Sequence, residues 1–148
     1  MSHRVDFSRN AQVYDRRHGA VLPGDAAQIL AKAARIRPDA EILDVGAGTG
    51  RVAVALAGIG CRVIGVDPAQ PMLRVLRNKA AGLPVRLVAA EGARLPFSAS
   101  RFDAVVLARV LYLMPDWREV VCDVVRVLNF GGQILHEWGN GSPDEEWV

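Results

Sequence analysis

The chain is poor in the residues that bind metals or staple a small fold. It has two cysteines and three histidines in 148 residues. Cys61 and Cys122 stand far apart, which excludes a disulfide framework and a close-spaced metal motif. Both lie in apolar patterns and read as small buried hydrophobes. A reactive thiol would need an accessible, electropositive setting. No apolar run approaches membrane-spanning length. The start, Met1-Ser2-His3-Arg4-Val5-Asp6, has no signal-peptide core, so the expected location is the cytoplasm. An excess of one charge is missing too. The net charge of +2 is spread along the chain, with no patch for nucleic acid and no polybasic segment for a membrane surface. What is present is a globular composition, 51% hydrophobic, in a length that suits a single domain spanning residues 1–148.

Glycine is present, and its placement is informative. Ile42-Leu43-Asp44-Val45-Gly46-Ala47-Gly48-Thr49-Gly50 reads as an apolar strand that ends in an acid and turns through three alternate glycines into a helix near Arg51. Glycine opens backbone angles closed to other residues and puts no Cβ before a ligand on the main chain. The helix would point its free N–H groups at the turn. Strand, turn and helix together make a nucleotide-type pocket. Asp44 narrows the ligand, because a carboxylate repels a pyrophosphate and suits an ammonium. The dinucleotide fingerprint also wants glycine or alanine three positions after the second glycine, and Arg51 stands there.

Short continuous apolar runs alternate with amphipathic segments. Strands are predicted over Glu41–Val45, Cys61–Asp67, Val85–Ala89, Phe102–Ala108 and Gln133–Trp138. Continuous runs suit strands buried on both faces of a parallel sheet. Helices are predicted over Ala26–Arg35 with Asp25 as cap, from Pro71 with Met72, Leu73 and Leu76 inward, and from a capping-box-like Asp116/Glu119 start. That last helix carries Trp117, Val120, Val121, Val124, Val125 and Leu128 on one face and ends at Gly131-Gly132. A short helix is expected around Asn10–Arg17. The fold class that follows is α/β: a doubly wound, mainly parallel sheet of about five strands with helices on both faces. Ligands in such sheets bind at the carboxyl ends of the strands. Asp67, which ends the second strand about 20 residues past the glycines, suits a pair of ribose hydroxyls. As an alternative it is a turn acid beside Pro68.

Two further segments follow in order: Ala90-Glu91-Gly92-Ala93-Arg94-Leu95-Pro96-Phe97 with Phe102-Asp103-Ala104-Val105-Val106, then Val125-Arg126-Val127-Leu128-Asn129-Phe130-Gly131-Gly132. With these four motifs the chain resembles the class I S-adenosylmethionine-dependent methyltransferases. It is most similar to the small-molecule group that includes the ubiquinone/menaquinone-type enzymes, from about Tyr14 to Trp138. The resemblance implies a Rossmann-like methyltransferase fold and the cofactor S-adenosylmethionine, with S-adenosylhomocysteine as product. It implies that Asp44 holds the methionine ammonium, directly or through water, and that the Gly46-Ala47-Gly48-Thr49-Gly50 backbone passes under the methionine and sugar. Asp67 would grip the ribose, with Pro68 and Met72 against the sugar or adenine. Glu91, where Asp is commoner in the family, would take the adenine amino group, and the Gly92 N–H adenine N1. Ala108 and Arg109 would border the sulfonium, or Arg109 is a solvated helix-start residue. Tyr14, in the Tyr14-Asp15-Arg16-Arg17-His18 segment, would close the pocket as part of a lid over residues 1–20, or lies on an ordinary surface helix. Asp103 reads as structural.

Methyl transfer from a sulfonium needs alignment and a dry pocket, and a base only where the acceptor must lose a proton. No metal is called for, and no catalytic residue is assigned. Tyr112, His136 and His18 are acceptor-side candidates. Leu107-Ala108-Arg109-Val110 stands where amino-directed nucleic-acid methyltransferases carry an Asp/Asn-Pro-Pro-aromatic motif, which argues against methylation of a nucleic-acid base; the small-molecule acceptor is what the resemblance implies. Related folds continue past the fifth strand with a helix and an antiparallel strand pair. The sequence therefore reads as C-terminally truncated, with 139–148 as a tail and weak or absent turnover expected; the exposed last strand is expected either to self-associate or to be covered by the tail Gly139–Val148. The rival readings are a non-catalytic cofactor-binding fragment and a nicotinamide-dependent oxidoreductase.

Overall fold

The structure is a computed structural model that describes residues 14–16 and 21–137. Five strands form one parallel sheet: β1 (Glu41–Val45), β2 (Arg62–Val66), β3 (Val85–Val88), β4 (Phe102–Ala108) and β5 (Leu128–Glu137), in the order β3-β2-β1-β4-β5. Among the described residues, besides the helical turn at 14–16, four helices connect or precede them: α1 (Gly24–Ala33), α2 (Arg51–Gly58), α3 (Gln70–Lys79) and α4 (Trp117–Val127). The order fixes where a ligand can go. From β1 the chain walks outward to β2 and β3, then returns to the other side of β1 with β4 and β5. The connections diverge at the β1/β4 boundary, and that leaves a crevice at the carboxyl ends of these two strands.

The period of two along each strand sorts the side chains into two cores. Ile42, Val63, Ala104, Val106 and Leu135 pack with Val52, Ala53, Leu56, Leu73 and Leu76 of α2 and α3. Leu43, Val45, Ile64, Val66, Val105 and Leu107 pack with Val120, Val124 and Val127 of α4 and with Phe102 and Leu95. Helices thus cover both faces, and the three inner strands are buried almost throughout. The edge strands β3 and β5 are far more exposed. Each Leu or Phe buried here contributes about 2–3 kcal/mol of transfer free energy.

Several element ends differ from the sequence reading. Helix α1 begins at Gly24, behind Pro23, and Asp25 lies in its first turn rather than capping it. Gly131 and Gly132 do not end α4. The chain passes from Val127 straight into extended Leu128, which pairs with Phe102, and the glycines lie within β5. Gly131, with φ of +76°, sits where the β4/β5 register slips. Asp103 braces that irregularity: one carboxylate oxygen accepts from Asn129 Nδ2 at 3.1 Å and the other from the Glu41 N–H at 2.9 Å. It is structural, as its place at the amino end of β4 suggested.

The capping box is absent as well. Asp116 makes no side-chain cap bond at the start of α4. The inward stripe of α4 is Val120, Val124 and Val127, while Trp117 and Val125 face outward. Cys61 is buried, but Cys122 is exposed, which corrects the reading of it as a core residue. Of the helix expected over Asn10–Arg17, residues 14–16 are helical and the rest lies outside the described residues.

Candidate functional site

The glycine turn closes the end of β1 over the end of β2. The N–H groups of Gly46 and Ala47 both donate to the Val66 carbonyl, at 2.8 and 3.0 Å. The three glycines then do different jobs. A Cβ on Gly46 would lie 2.6 Å from Val110 Cγ1, and one on Gly50 would collide with the Leu76 side chain. Both are glycine because protein packs against them. A Cβ on Gly48 would meet open space, with only the Gly46 carbonyl as near as 4.0 Å. Gly48 is the face left clear for a ligand. Gly50, at φ of +91°, is also the N-cap of α2, so the turn delivers the free N–H groups of that helix into the crevice.

Asp44 shares the Ile42 face of β1 and meets the start of α2. It is 2% exposed. Burial pushes its carboxyl up to about 7, and the charge of Asp67 pushes the same way; the Ala53 N–H and the Arg51 guanidinium act against this. A buried carboxylate poised to ionise near neutrality is completed by a cation, which is the chemistry of an ammonium ligand.

Asp67 is a turn acid, the alternative that its place beside Pro68 offered. Its Oδ2 accepts from the Gly48 N–H at 3.0 Å and its Oδ1 from the Ala69 N–H at 2.8 Å. It ties the glycine turn to the start of α3. Each oxygen keeps a further lone pair, enough for a pair of hydroxyls. Burial raises its pKa, the two N–H donors lower it, and the neighbouring charge of Glu91 raises it. The three acids at the ends of β1, β2 and β3 are therefore electrostatically linked along one rim.

The remaining expected residues divide. Tyr14, Ala47, Ala108 and Arg109 line one cavity together with Asp44, Gly46, Gly48, Thr49, Arg51 and Val52. Its enclosed volume is about 40 Å³, far below the several hundred of a nucleoside-sized pocket. The cavity has room for a small polar group, and a nucleoside would have to extend from it along Asp67, exposed Pro68 and half-buried Glu91. Met72 is 2% exposed and has almost no surface to offer a sugar in this conformation. Gly92 is buried, and a Cβ there would press on Val45 and Val120. Its segment is held by α4: Arg126 donates to the carbonyls of Phe97 at 2.7 Å and Leu95 at 3.0 Å, and Asp123 accepts the Leu95 N–H at 2.6 Å. Tyr112 is exposed on a short 3-10 turn, Leu111–Leu113, and its electrostatic influence reaches Tyr14. His136 is exposed on β5, and His18 lies outside the described residues.

Two groups of site residues escaped the sequence reading. Asp15 accepts from the buried Thr49 hydroxyl and pairs with Lys79 Nζ at 2.6 Å. It anchors the helical turn of Tyr14 to both the glycine turn and α3. At the other end, Glu137 takes Arg51 Nη1 and Nη2 at 3.2 and 2.8 Å and Arg109 Nε at 2.9 Å. Arg109 is thus neither a solvated residue nor free to swing. Its backbone, at φ of +56°, also donates to the Glu137 carbonyl at 2.7 Å. An acid closing the final strand, as Asp44 and Asp67 close theirs, was the signal for Glu137. Asp15 had no such signal, because its partners are 34 and 64 positions away in sequence.

Comparison with known proteins decides what this pocket belongs to. The family described as "Methyltransferase domain" matches residues 43–136, and one described as a SAM-dependent methyltransferase matches residues 1–81. The chain belongs to the S-adenosylmethionine-dependent methyltransferases. Its cofactor is S-adenosylmethionine. The chain is 30% identical over 135 residues to a demethylmenaquinone methyltransferase of Tropheryma whipplei, covering 89% of this chain and 56% of that protein. It is 31% identical over 138 residues to YcgJ of Bacillus subtilis, an uncharacterised methyltransferase, covering 91% and 54%. The crystal structure of YcgJ superposes with a TM-score of 0.70 over 77% of this chain and 50% of that one. A methyltransferase structure from Methanococcus maripaludis reaches 0.80 over 95% and 68%, at 18% identity, and shows the same fold. The chain spans about half the length of the curated relatives it matches.

With the family shown, the nicotinamide reading falls away, and the physical mark against it was Asp44. The residues present fit the cofactor: a buried acid for the ammonium, an open glycine face beside it, and a second acid with spare lone pairs at the next strand end. Among the described residues no group of three or more His, Cys, Asp or Glu is placed to hold a metal ion.

Proposed function

We propose that this single domain binds S-adenosylmethionine across the β1/β4 crevice and transfers its methyl group to a small-molecule acceptor. The observation that carries the reading is Asp44, buried at the end of β1 with its carboxyl raised to about 7 and set beside the open face of Gly48. Asp44 would hold the methionine ammonium. The spare lone pairs of Asp67 would take the ribose hydroxyls, Glu91 the adenine amino group, and Gly92 N–H the ring nitrogen. Ala108 and Arg109 would border the reacting end. Tyr14 would roof it, and the Asp15 contacts to Thr49 and Lys79 would hold that roof shut. The bound cofactor supplies an activated methyl group. The protein aligns the acceptor with it and excludes water.

The chain is also proposed to work in the cytoplasm and to self-associate through the outer edge of β5. Among the described residues no helix is long and apolar enough to cross a membrane. Phe130 and Ile134 are exposed on β5, which β4 alone pairs among the described strands. The deciding experiment titrates the chain with S-adenosylhomocysteine and NADH by calorimetry, then follows methyl transfer from labelled donor to a panel of small acceptors. Binding of S-adenosylhomocysteine with NADH silent supports the cofactor site. Binding without any transfer would favour a cofactor-binding domain that is not catalytic by itself.

A further inference from the structure

The arginine that lines the cavity beside Asp44 is already occupied, by the protein's own carboxylate. Glu137, the last residue of β5, sets Oε1 and Oε2 against Arg51 Nη2 and Nη1 at 2.8 and 3.2 Å, a two-point grip on one guanidinium. Its Oε1 also accepts from Arg109 Nε at 2.9 Å. The side chains of Arg51 and Arg109 are 16% and 11% exposed, and that of Glu137 is 36% exposed. The arginines are therefore the fixed members, and the carboxylate is the one with room to move. Its main chain is held: Glu137 pairs with Ala108 of β4, and its carbonyl accepts the Arg109 N–H at 2.7 Å. Movement is left to the side chain.

The amino-acid end of the cofactor carries an ammonium and a carboxylate on one carbon. Asp44 and Arg51 line one cavity. Burial and then Asp67 raise the Asp44 pKa, and the Arg51 charge is among the influences that act against this, so acid and cation lie within electrostatic reach of each other. Such a pair suits a zwitterion, with Asp44 on the ammonium and Arg51 on the carboxylate. In the empty site both cannot be served. The cavity of about 40 Å³ is little more than the ~30 Å³ share of one water. Both Nη atoms of Arg51 are engaged by Glu137. A ligand carboxylate arriving beside Glu137 would also set two anions side by side, which disfavours holding both.

We propose that Glu137 is an internal stand-in for the cofactor's carboxylate: it caps Arg51 in the empty site and gives Arg51 up, turning onto Arg109, when the ligand's own carboxylate arrives. This rests on the cofactor reading above. The exchange puts one carboxylate in place of another on the same guanidinium, so Arg51 is paired in both states. Arg109, through Nε, keeps Glu137 at hand, and departure of the product lets it return. The device lowers the affinity for any ligand that brings a carboxylate and speeds its release. A ligand without an amino-acid end leaves Glu137 in place.

The test compares S-adenosylhomocysteine with 5′-methylthioadenosine, which keeps the nucleoside and lacks the amino-acid end. Both are titrated into the full chain by calorimetry. Glu137→Gln removes the competing charge and keeps the shape. It should tighten S-adenosylhomocysteine binding about tenfold and leave 5′-methylthioadenosine unchanged. Arg51→Gln should weaken S-adenosylhomocysteine alone, and in that background Glu137→Gln should bring no gain. A gain that persists without Arg51 is a general effect of charge and overturns the proposal. Binding of S-adenosylhomocysteine that is unchanged or weaker in Glu137→Gln, the mark of a fixed structural ion pair, overturns it too. The unaltered chain supplies a measurement that no variant's folding can spoil. In nitrogen NMR the Arg51 guanidinium signal should shift with S-adenosylhomocysteine and stay in place with 5′-methylthioadenosine, and equal responses to the two overturn the exchange. Failure of both ligands to bind would instead bring down the cofactor site, and the exchange with it.

Discussion

At the residue scale, the charge state of Asp44 is expected to govern the proposed cofactor site. Its folded value near 7 lies above the ordinary value of about 3.9. The unligated fold therefore holds an extra proton between about pH 4 and 7. The stability from that proton is complete below pH 4 and is lost as the pH rises through 7, on the order of 4 kcal/mol in all. An ammonium ligand reverses the preference, because it pairs with the ionised form. S-adenosylhomocysteine should thus bind about tenfold more weakly at pH 6 than at pH 7.5, with release of nearly one proton at the lower pH. Calorimetry in buffers of different ionisation enthalpy reads both quantities, and Asp44→Asn should flatten the pH dependence. The glycines separate at the same scale. Gly50→Ala drives a methyl group into Leu76 at a left-handed position, so a loss of about 3 kcal/mol, roughly 10 °C in melting temperature, is expected. Gly48→Ala carries the same left-handed backbone strain but meets open space, so it should spare more of the stability than Gly50→Ala while costing at least tenfold in S-adenosylhomocysteine affinity. A Gly48→Ala variant with unchanged affinity would show that the ligand lies elsewhere. Asp67→Ala should lose both properties, because the carboxylate holds the Gly48 and Ala69 N–H groups, and an unmet buried donor costs about 1–3 kcal/mol.

At the scale of elements, the site depends on tethers between segments distant in sequence. Helix α4 holds the Leu95–Phe97 segment through Arg126 and Asp123, and the side-chain bond to Arg126 lowers the Asp123 pKa. Arg126 is exposed and Asp123 half-buried, so removal of the pair should change global stability little. The expected effect is local: Arg126→Ala should speed hydrogen exchange at the Leu95 amide and weaken adenosine recognition by way of Glu91 and Gly92. Unchanged protection at Leu95 would mean that backbone packing alone positions the segment. The tether of Tyr14 through Asp15 is of the same kind. Lys79→Met should raise the S-adenosylhomocysteine off-rate more than the on-rate, as stopped-flow fluorescence would register. If Tyr14 does not roof the pocket, neither rate will move.

At the scale of the molecule, β5 is the proposed site of self-association. Phe130 and Ile134 are exposed on a strand paired along one edge among the described residues, and such an edge is a template for another chain. Light scattering after size exclusion should give a mass that rises with concentration, and Ile134→Lys should reduce it to that of a monomer. A monomer at every concentration would exclude this interface. The parallel α/β sheet, the three inner strands and the place of the glycine turn were legible in the sequence. Continuous apolar runs, an acid at a strand end and alternate glycines are local patterns whose physics acts within a few residues. The start of α4 at Asp116 was legible too; the missing cap bond there, the passage from α4 into β5, the exposure of Cys122 and the separate duties of the three glycines were not. Each depends on what lies across the fold: Phe102 pairs with Leu128, Val110 lies against Gly46, and Leu76 against Gly50. The sequence by itself determined that a strand, a turn and a helix would present an acid and an open backbone to a cationic nucleoside. Only the tertiary structure decided that Asp15 would fasten Tyr14 over the turn, and that Glu137 would draw Arg51 and Arg109 together, because the partners in each group converge only where the strand ends meet.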